Sequence, residues 1–409
     1  MLILKNGNLI DGIRPQPVEN AIITIDGNRF SSISQELNYP EGAEIIDLKG
    51  ATVMPGLIDC HLHLGGFIID TPGREIGKVS FFDAVSFFWD YFRNFARRRQ
   101  LAIENGVTSI RSAGDNYPQI IQLREKIQSG KLTGPRIFSP GPIFTAPGGH
   151  PAGTIYRRNK YIVEHATRQV SDTSEARGKV QELVAGGVDC IKAIYSDINA
   201  MNITHKVPKL DLKVLEAIID EAHRHNLRVM VHAGNPDETR DAVEAGADSI
   251  EHGILPGTDS IEFQDNVIEK MVERGTYYVP TLAIAWAYRE TYPELFSAAM
   301  KVLKQLHDAG VNIALGTDSG APGVIIGKAA HKEMELMVEA GLSPIEAIKA
   351  ATINAAHNLG KGTELGAIEA GRLADMVAIS DNPLENIGNI RDIVMVINNG
   401  EILLNRIGQ

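Results

Sequence analysis

The sequence has few cysteines and no long apolar run. Cys60 and Cys190 are the only cysteines among 409 residues, and alternation along their strand-like runs places them on opposite faces of a predicted sheet, so we expect no disulfide. No run approaches the roughly 18 apolar residues that a membrane span needs. The start, "MLILKNGNLIDG", has a charged Lys5 and a turn-like Asn-Gly too early for a signal peptide. These absences predict a cytoplasmic protein with no membrane partner.

Positive charge is also scarce. The chain has 40 basic and 51 acidic residues, a net charge of −11, and the acidic residues are scattered. Binding to nucleic acid requires a basic surface, so this balance argues against such a partner. Apolar residues make up 44% and charged residues 22%, which is typical of a soluble globular protein with a sizeable core. The length predicts a large domain with a smaller one attached.

The two ends of the chain carry similar patterns. Residues 1–50 contain short strand signals joined by "KNGN" and "IDGN", and residues 374–405 contain "ADMVAIS" and "VMVINNGEILL" with another Asn-Gly turn. Isolated hairpins are marginally stable in water. We therefore expect residues 1–55 and 359–409 to form one small β-sandwich domain.

The middle of the chain, residues 56–358, alternates short apolar segments with helical patterns. Eight such units predict an α/β fold, a (β/α)8 TIM-like barrel with its active site at the C-terminal ends of the strands. The last helix is predicted to have Ser343 as N-cap, Pro344 in its first turn and Gly360 at its end. The eight segments are "GLIDCHLHL", "VTSIRSAGD", "RIFSPGPI", "VDCIKAIYS", "RVMVHAG", "DSIEHG", "YYVPTLA" and "NIALGTDSG".

Several of these segments end in residues that bind metals. His61 and His63 alternate onto one face at the end of the first segment, and the fifth, sixth and eighth end in His232, His252 and Asp318. Any one of them alone is explained by a structural histidine or a turn aspartate. Their joint position at strand ends predicts a metal site.

Lys192 lies inside the fourth segment, where a buried strand is expected. A lysine ammonium is almost never fully buried without a partner, because removing the charge from water is costly. One explanation is that Lys192 has added CO2 to become a carbamate, an anionic ligand that bridges two metal ions. The alternative is an ion pair with a carboxylate such as Asp318 in a barrel without metal.

The motifs "PGLIDCHLHL", "IKAIYS", "VHAG", "SIEHG", "LGTDSG" and "GRLADMVAISDNPL" resemble those of the metal-dependent amidohydrolase superfamily, over nearly the whole chain. The resemblance implies that His61 and His63 bind the more buried metal, and His232 and His252 the more exposed one. It also implies that carboxylated Lys192 bridges the two metals and that Asp318 completes the buried site.

This ligand set implies a hydrolase with two divalent ions. Two dications that share a water lower its pKa from about 15.7 toward neutrality, and the resulting hydroxide attacks a carbonyl carbon. Asp318 then takes the proton of this water and delivers it to the leaving amine. Imidazole and carboxylate ligands without thiolates suit Zn first, with Mn, Co or Fe as alternatives.

The loop "FTAPGGHPAGTIYRR" after the third segment suggests the substrate. Its "GGH" is similar to a loop of the imidazolonepropionase-like and prolidase-like branch, which implies that His150 hydrogen-bonds the substrate carbonyl and its tetrahedral intermediate. Prolidase-like relatives cleave Xaa-Pro dipeptides or N-acyl amino acids, so a carboxylate-binding group is expected, with Tyr195, Arg157 and Arg158 as candidates. Pro151 departs from the family pattern.

Two other functions remain open. One is a cyclic amide, lactone or imine hydrolase or a deaminase of the same superfamily, which typically uses one metal and no bridging lysine. The other is a scaffold without catalytic activity, which the presence of all the ligand positions disfavours. We also expect a small-molecule substrate and a homo-oligomer, although no sequence rule gives the number of subunits.

Overall fold

The structure is a computed structural model and describes residues 1–36, 41–65, 95–157, 160–199, 202–258 and 261–408. These residues form a mixed α/β fold that includes parallel sheets. Cys60 and Cys190 are both buried and free, as predicted. Within the described ranges, no helix combines the length and the apolar character needed to cross a bilayer.

Strands from both ends of the chain form one eight-stranded sheet. Its order is β18-β17-β16-β5-β1-β2-β3, with β4 paired to β1. Strand β5 joins the two ends, because it pairs with β1 in parallel and with β16 in antiparallel orientation. A sandwich, and domain boundaries at residues 55 and 358, stay predictions. The strands are β1 (Leu2–Leu9), β2 (Val18–Asp26), β3 (Arg29–Ser34), β4 (Glu44–Asp47), β5 (Thr52–Pro55), β16 (Met376–Ile379), β17 (Ile393–Asn398) and β18 (Glu401–Asn405).

The Asn-Gly pairs of this sheet have two different roles. Asn399 and Gly400, with φ of 53° and 80°, turn the chain between β17 and β18, as predicted. The predicted turn at "KNGN" is wrong, because these residues lie inside β1, where Asn6 has φ 58° and the register with β2 shifts. A β-bulge and a tight turn use the same positive-φ residues, so the local sequence does not distinguish them.

Each of the eight central segments contains a strand. The described part of residues 56–358 has ten strands, because β9 begins at the last residue of the third segment and β10 lies in none of the eight. All their pairings are parallel, in a three-stranded sheet of order β6-β7-β8 and a seven-stranded sheet of order β10-β9-β11-β12-β13-β14-β15. Backbone hydrogen bonds link the two sheets, since Cys60 N donates to Leu315 O (2.9 Å) and Thr317 N to His61 O (3.0 Å). The strands are β6 (Leu57–Leu62), β7 (Val107–Ser112), β8 (Arg136–Phe138), β9 (Ile143–Thr145), β10 (Thr167–Gln169), β11 (Cys190–Ile194), β12 (Arg228–Ala233), β13 (Ser249–His252), β14 (Tyr277–Val279) and β15 (Asn312–Ile313).

Helices alternate with these strands and bury their apolar faces against them. In the helix Leu212–Arg224, for example, Leu215, Ile218, Ile219 and Ala222 recur at helical spacing and are buried in the main core. The helices are α1 (Gln119–Gln128), α2 (Lys160–Ala166), α3 (Thr173–Ala185), α4 (Leu212–Arg224), α5 (Pro236–Ala245), α6 (Asp265–Arg274), α7 (Leu282–Ala287), α8 (Pro293–Asp308), α9 (Lys328–Glu339), α10 (Pro344–Ala350) and α11 (Ile353–Asn358), and residues 95–104 are also helical.

The prediction of a single helix after Ser343 is wrong, because the structure has two helices there. Helix α10 begins with Ser343 as its N-cap, as predicted, and Ser343 forms a capping box with Glu346. The break falls at Thr352, whose φ is −132° and whose Oγ1 donates to Ile348 O (2.6 Å). A threonine that bonds back to the carbonyl four residues earlier competes with the helical pattern, which explains the break.

Candidate active site

The predicted metal ligands line one cavity of about 350 Å³. They come from β6, β11, β12 and β13 and from the segment after β15. Because parallel strands end at the same edge of a sheet, residues that are far apart in sequence meet there. The ligands that line the cavity are His61, His63, Lys192, His232, His252 and Asp318.

Three of these residues form a compact group. One ligand atom each of His61, His63 and Asp318 lies within 4.8 Å of the other two. Asp318 Oδ1 is 3.2 Å from His63 Nε2 and 3.6 Å from His61 Nε2. Two imidazoles and a carboxylate are ligands that Zn and similar divalent ions accept. The group is therefore a possible metal site.

Hydrogen bonds from β6 fix the position of Asp318. Its backbone N donates to His61 O (2.7 Å), and the preceding Thr317 donates through Oγ1 to Asp59 Oδ2 (2.6 Å). Asp318 itself has φ 52°, a conformation that aspartate tolerates better than most residues. Burial raises the pKa of Asp318, but the hydrogen bond with His63 and the neighbouring His61 outweigh it, so the pKa lies well below its usual value. Asp318 is therefore an anion at neutral pH.

His252 connects this group to His232. Its ring centroid lies 4.9 Å from that of His61 and 4.7 Å from that of His232. The Nδ1 atom of His252 is 2.8 Å from Thr281 Oγ1, which leaves Nε2 as its free ligand atom. Burial lowers the pKa of His252 to about 4 and holds that of His232 well below its usual value. Both rings are thus neutral, which is the form that binds metal ions.

Lys192 supplies the test of whether these residues fit a metal centre. It is 1% exposed, and neither its Nζ nor His232 Nε2 has a hydrogen-bond partner among the residues that the structure describes. The ion pair with Asp318, the alternative explanation of Lys192, is therefore not formed. Burial lowers the pKa of Lys192 to about 8, against the opposing effect of Glu251. Buried polar atoms without partners are costly, so both nitrogens fit a site completed by a further group.

A buried ion pair lies behind His61. Glu251 Oε2 is 2.5 Å from His61 Nδ1, and Glu251 Oε1 accepts from Arg111 Nη2 (2.8 Å) and from Ser249 Oγ (2.6 Å). Arg111 Nε in turn donates to Cys60 O (2.7 Å). Because Nδ1 of His61 is bound to the carboxylate, Nε2 is the nitrogen left to bind a metal ion together with His63 and Asp318.

His150 lines the same cavity, as predicted. Its ring is stacked on that of His232, with centroids 5.7 Å apart, and its Nδ1 is 2.8 Å from Thr154 Oγ1. Burial lowers the pKa of His150 to about 4. The loop of His150 folds back so tightly that Gly153 lies against Gly148. A Cβ at position 153 would be 1.9 Å from the carbonyl oxygen of Gly148, so the position requires glycine.

The predicted carboxylate-binding residues do not share this cavity. The Tyr195 hydroxyl donates to Asp241 Oδ2 (3.0 Å), and its ring lies 4.7 Å from Lys209 Nζ. Lys192 and Ile194 line the cavity, so Tyr195, the next residue of the alternating pattern, points away from it. Arg157 is exposed and lines a separate open groove. Arg158 lies outside the described residues.

Two features of the site were not predicted from the sequence. One is the Arg111–Glu251 pair, although a charged residue inside an apolar strand segment was the same signal that drew attention to Lys192. The other is the outer wall of the cavity, much of it on α7 and α8. Its sequence, "LAIAWAYRETYPELFSAAM", has the apolar spacing of an ordinary core helix, so nothing in it indicates a cavity.

Comparison with known proteins finds similar sequences and structures over most of the chain. The profile of the family described as "Amidohydrolase family" matches residues 52–403. The chain is 29% identical to an ochratoxinase of Aspergillus niger, over 94% of this chain and 82% of that protein. It is 25% identical to an imidazolonepropionase of Symbiobacterium thermophilum, over 82% of this chain and 76% of that protein. A crystal structure of a Xaa-Pro dipeptidase with methionine in its active site has a TM-score of 0.83 and 29% identity, and the match covers 99% of this chain and 100% of that one.

Proposed function

The chain belongs to the amidohydrolase family, and from that membership and the geometry of its cavity we propose that it is a binuclear metal-dependent hydrolase that cleaves the amide bond of a Xaa-Pro type dipeptide or an N-acyl amino acid. Hydrolases that act on amide bonds are among its relatives. One observation carries the proposal: the His61, His63 and Asp318 group shares its cavity with two buried, unpartnered nitrogens, Lys192 Nζ and His232 Nε2.

The ligands divide into two groups. His61, His63 and Asp318 would hold one metal ion and His232 and His252 the other, and carboxylated Lys192 would be a ligand to both, with Zn as the first choice. When bound, the two ions lower the pKa of a water molecule and polarise the scissile carbonyl. The unpartnered Nζ supports the carbamate, because an amine without a hydrogen bond in this cavity is free to add CO2.

Asp318 and His150 are the proposed catalytic residues. The Asp318 carboxylate accepts the proton of the attacking water and returns it to the leaving nitrogen. His150 donates from Nε2 to the substrate carbonyl. Thr154 supports this role by positioning the ring, since its Oγ1 lies 2.8 Å from His150 Nδ1 and leaves Nε2 as the nitrogen available to the substrate.

We further propose that the two parallel sheets close into one (β/α)8 barrel at residues 56–358, with a β-sandwich domain formed by residues 1–55 and 359–409. Closure is supported by the hydrogen bonds from Cys60 N to Leu315 O and from Thr317 N to His61 O. A homo-oligomer and a cytoplasmic location stay predictions.

A second candidate function is the hydrolysis or deamination of a cyclic amide, lactone or imine. The similarity to an imidazolonepropionase favours it. The buried Lys192 argues against it, because a single-metal site has no use for a bridging ligand.

The test is one assay on enzyme purified with Zn and bicarbonate. Bound metal is counted per chain, and dipeptides, N-acyl amino acids, lactones and amino-heterocycles are screened for released amino acid, acid and ammonia. We expect about two metal ions per chain and release of an amino acid. About one ion, with ammonia release or lactone opening, would favour the second candidate instead. Replacement of the exposed His205 by alanine is the control for His63→Ala, because only the latter is expected to lower the metal content.

A further inference from the structure

Apart from the proposed metal ligands and His150, most of the residues that line the cavity are apolar. Among the described residues, the only lysine, arginine or carboxylate side chains that line it are Lys192 and Asp318, both of them proposed metal ligands. Tyr288, Thr291 and Tyr292, which carry hydroxyl groups, also line it. We use the name apolar wall for the following lining residues: Ile155, Ile194, Ile254, Leu255, Pro256, Pro280, Ile284, Ala285, Leu295, Ala299, Ala321 and Pro322.

Four residues of the apolar wall lie on two helices, Ile284 and Ala285 on α7 and Leu295 and Ala299 on α8. Leu295 and Ala299 are four residues apart, so they lie on one face of α8. Leu295 is half-buried, because it packs against the main core and also lines the cavity.

Hydrogen bonds connect the start of α7, which is part of the apolar wall, to the proposed metal ligand His252. Thr281, at the start of α7, is bound through Oγ1 to His252 Nδ1 (2.8 Å). Glu333 then accepts from the first backbone N–H groups of α7, at Leu282 (2.8 Å) and Ala283 (2.6 Å). The helix therefore cannot shift without disturbing His252, and the apolar wall begins within one residue of this contact.

From this arrangement we propose that the substrate carries a bulky, uncharged apolar group, aromatic or branched aliphatic, on the side of the scissile amide that faces the apolar wall. An apolar surface stabilises such a group in proportion to the area removed from water. It disfavours a free ammonium or carboxylate there, because an ion loses its hydration without gaining a partner. The inference rests on the proposed amide hydrolase and selects N-acylated, hydrophobic amides over short dipeptides.

Matched substrate pairs test the proposal, because the two members of each pair differ by a single charged group. On the acyl side, 3-phenylpropanoyl-leucine is compared with the dipeptide Phe-Leu, which has an additional α-ammonium group. On the amine side, N-(2-phenylethyl)acetamide is compared with N-acetylphenylalanine, which has an additional carboxylate. We expect kcat/KM of the member without the additional charge to be about tenfold higher or more in one pair. In a series of longer N-acyl-leucines, kcat/KM should rise up to about fourfold for each methylene that becomes buried.

The outcomes separate this inference from the proposed function. If amides are cleaved but the member with the additional charge is equal or better in both pairs, the inference is overturned and the proposed function stands. If no member is cleaved by enzyme with its full metal content, the wider panel of dipeptides and N-acyl amino acids described above decides the proposed function. Calorimetric Kd values for the same pairs then decide the inference separately, because tighter binding of the member without the additional charge supports it and equal Kd values in both pairs overturn it.

Variants of α8 locate the contact. If the acyl-side pair shows the preference, Leu295→Ala should lower kcat/KM, or the affinity if there is no cleavage, about tenfold for 3-phenylpropanoyl-leucine and less than twofold for N-acetylleucine. If the amine-side pair shows it, the same contrast is expected between N-(2-phenylethyl)acetamide and N-methylacetamide. Phe296→Ala is the matched control, because Phe296 is half-buried on the same helix, packs against the core and does not line the cavity. It should change both substrates less than twofold. Unfolding temperatures of both variants are measured to detect a loss of stability. If Leu295→Ala and Phe296→Ala change kcat/KM by the same factor for both substrates, the apolar wall does not contact the substrate.

Discussion

Glu251 Oε2 lies 2.5 Å from Nδ1 of His61, and both side chains are almost fully buried. The other oxygen of Glu251 accepts from Arg111. A carboxylate bound to one nitrogen of an imidazole fixes its orientation and tautomer, so that the other nitrogen is presented to a metal ion. Glu251 is therefore a positioning residue for His61.

Glu251→Gln should weaken metal binding about 10- to 100-fold, because the amide removes the charge that holds the proton on His61 Nδ1. The measurement is competition for Zn with a chelator of known affinity. Ser249→Ala is the control, since it removes one hydrogen bond to Glu251 and keeps the carboxylate. If the Zn affinity of Glu251→Gln is unchanged, Glu251 does not position His61 for metal binding.

Lys192→Ala should lose bound metal and activity together, because the anionic bridge between the two ligand groups is gone. Short carboxylic acids added to the variant should restore part of both, since a small carboxylate replaces the carbamate oxygens. Metal content and kcat/KM are measured with and without the acid. Lys304→Ala, at an exposed lysine, is the control. Full activity of Lys192→Ala without added acid would refute the carbamate.

Asp318→Asn should lower kcat about 100-fold or more and change KM much less, because the amide cannot accept the proton of the attacking water. Steady-state kinetics of the variant at full metal content measure this split. Asn keeps the size of the side chain, so the backbone bond to His61 is retained. If turnover of the variant equals that of the wild type, Asp318 has no part in proton transfer.

Stability should depend on pH through His223, which is not one of the proposed metal ligands. Its Nε2 is 2.8 Å from Asp248 Oδ2, and this hydrogen bond raises the pKa of His223 above its usual 6.5. A histidine with a raised folded pKa contributes stability below its unfolded pKa, and the contribution is lost as the pH rises through the folded pKa. The unfolding temperature of the wild type should therefore exceed that of His223→Gln by more at about pH 5.5 than at about pH 8.5. An equal difference at both values would exclude this linkage.

The strand pattern and the ligand types of this protein could be predicted because they depend on local spacing. Each of the eight segments contains a strand, and His61, His63, Lys192, His232 and Asp318 reach one cavity together with His252. The errors are also local. The residues of "KNGN" form a bulge within β1 instead of a turn, and the helix predicted after Ser343 is interrupted at Thr352. In both cases the same residues are compatible with two backbone conformations, so the local sequence does not distinguish them.

The sequence alone determined which residues lie at the strand ends, since a period of two fixes the face of each side chain and parallel strands end at one edge. Only the tertiary structure decided which side chains from distant segments meet. It paired Arg111 with Glu251 behind His61, turned Tyr195 toward Asp241, and set Leu295 of α8 against the cavity. The physical reason is that spacing along the chain determines direction within one element, whereas contacts between elements depend on how the strands and helices pack in three dimensions.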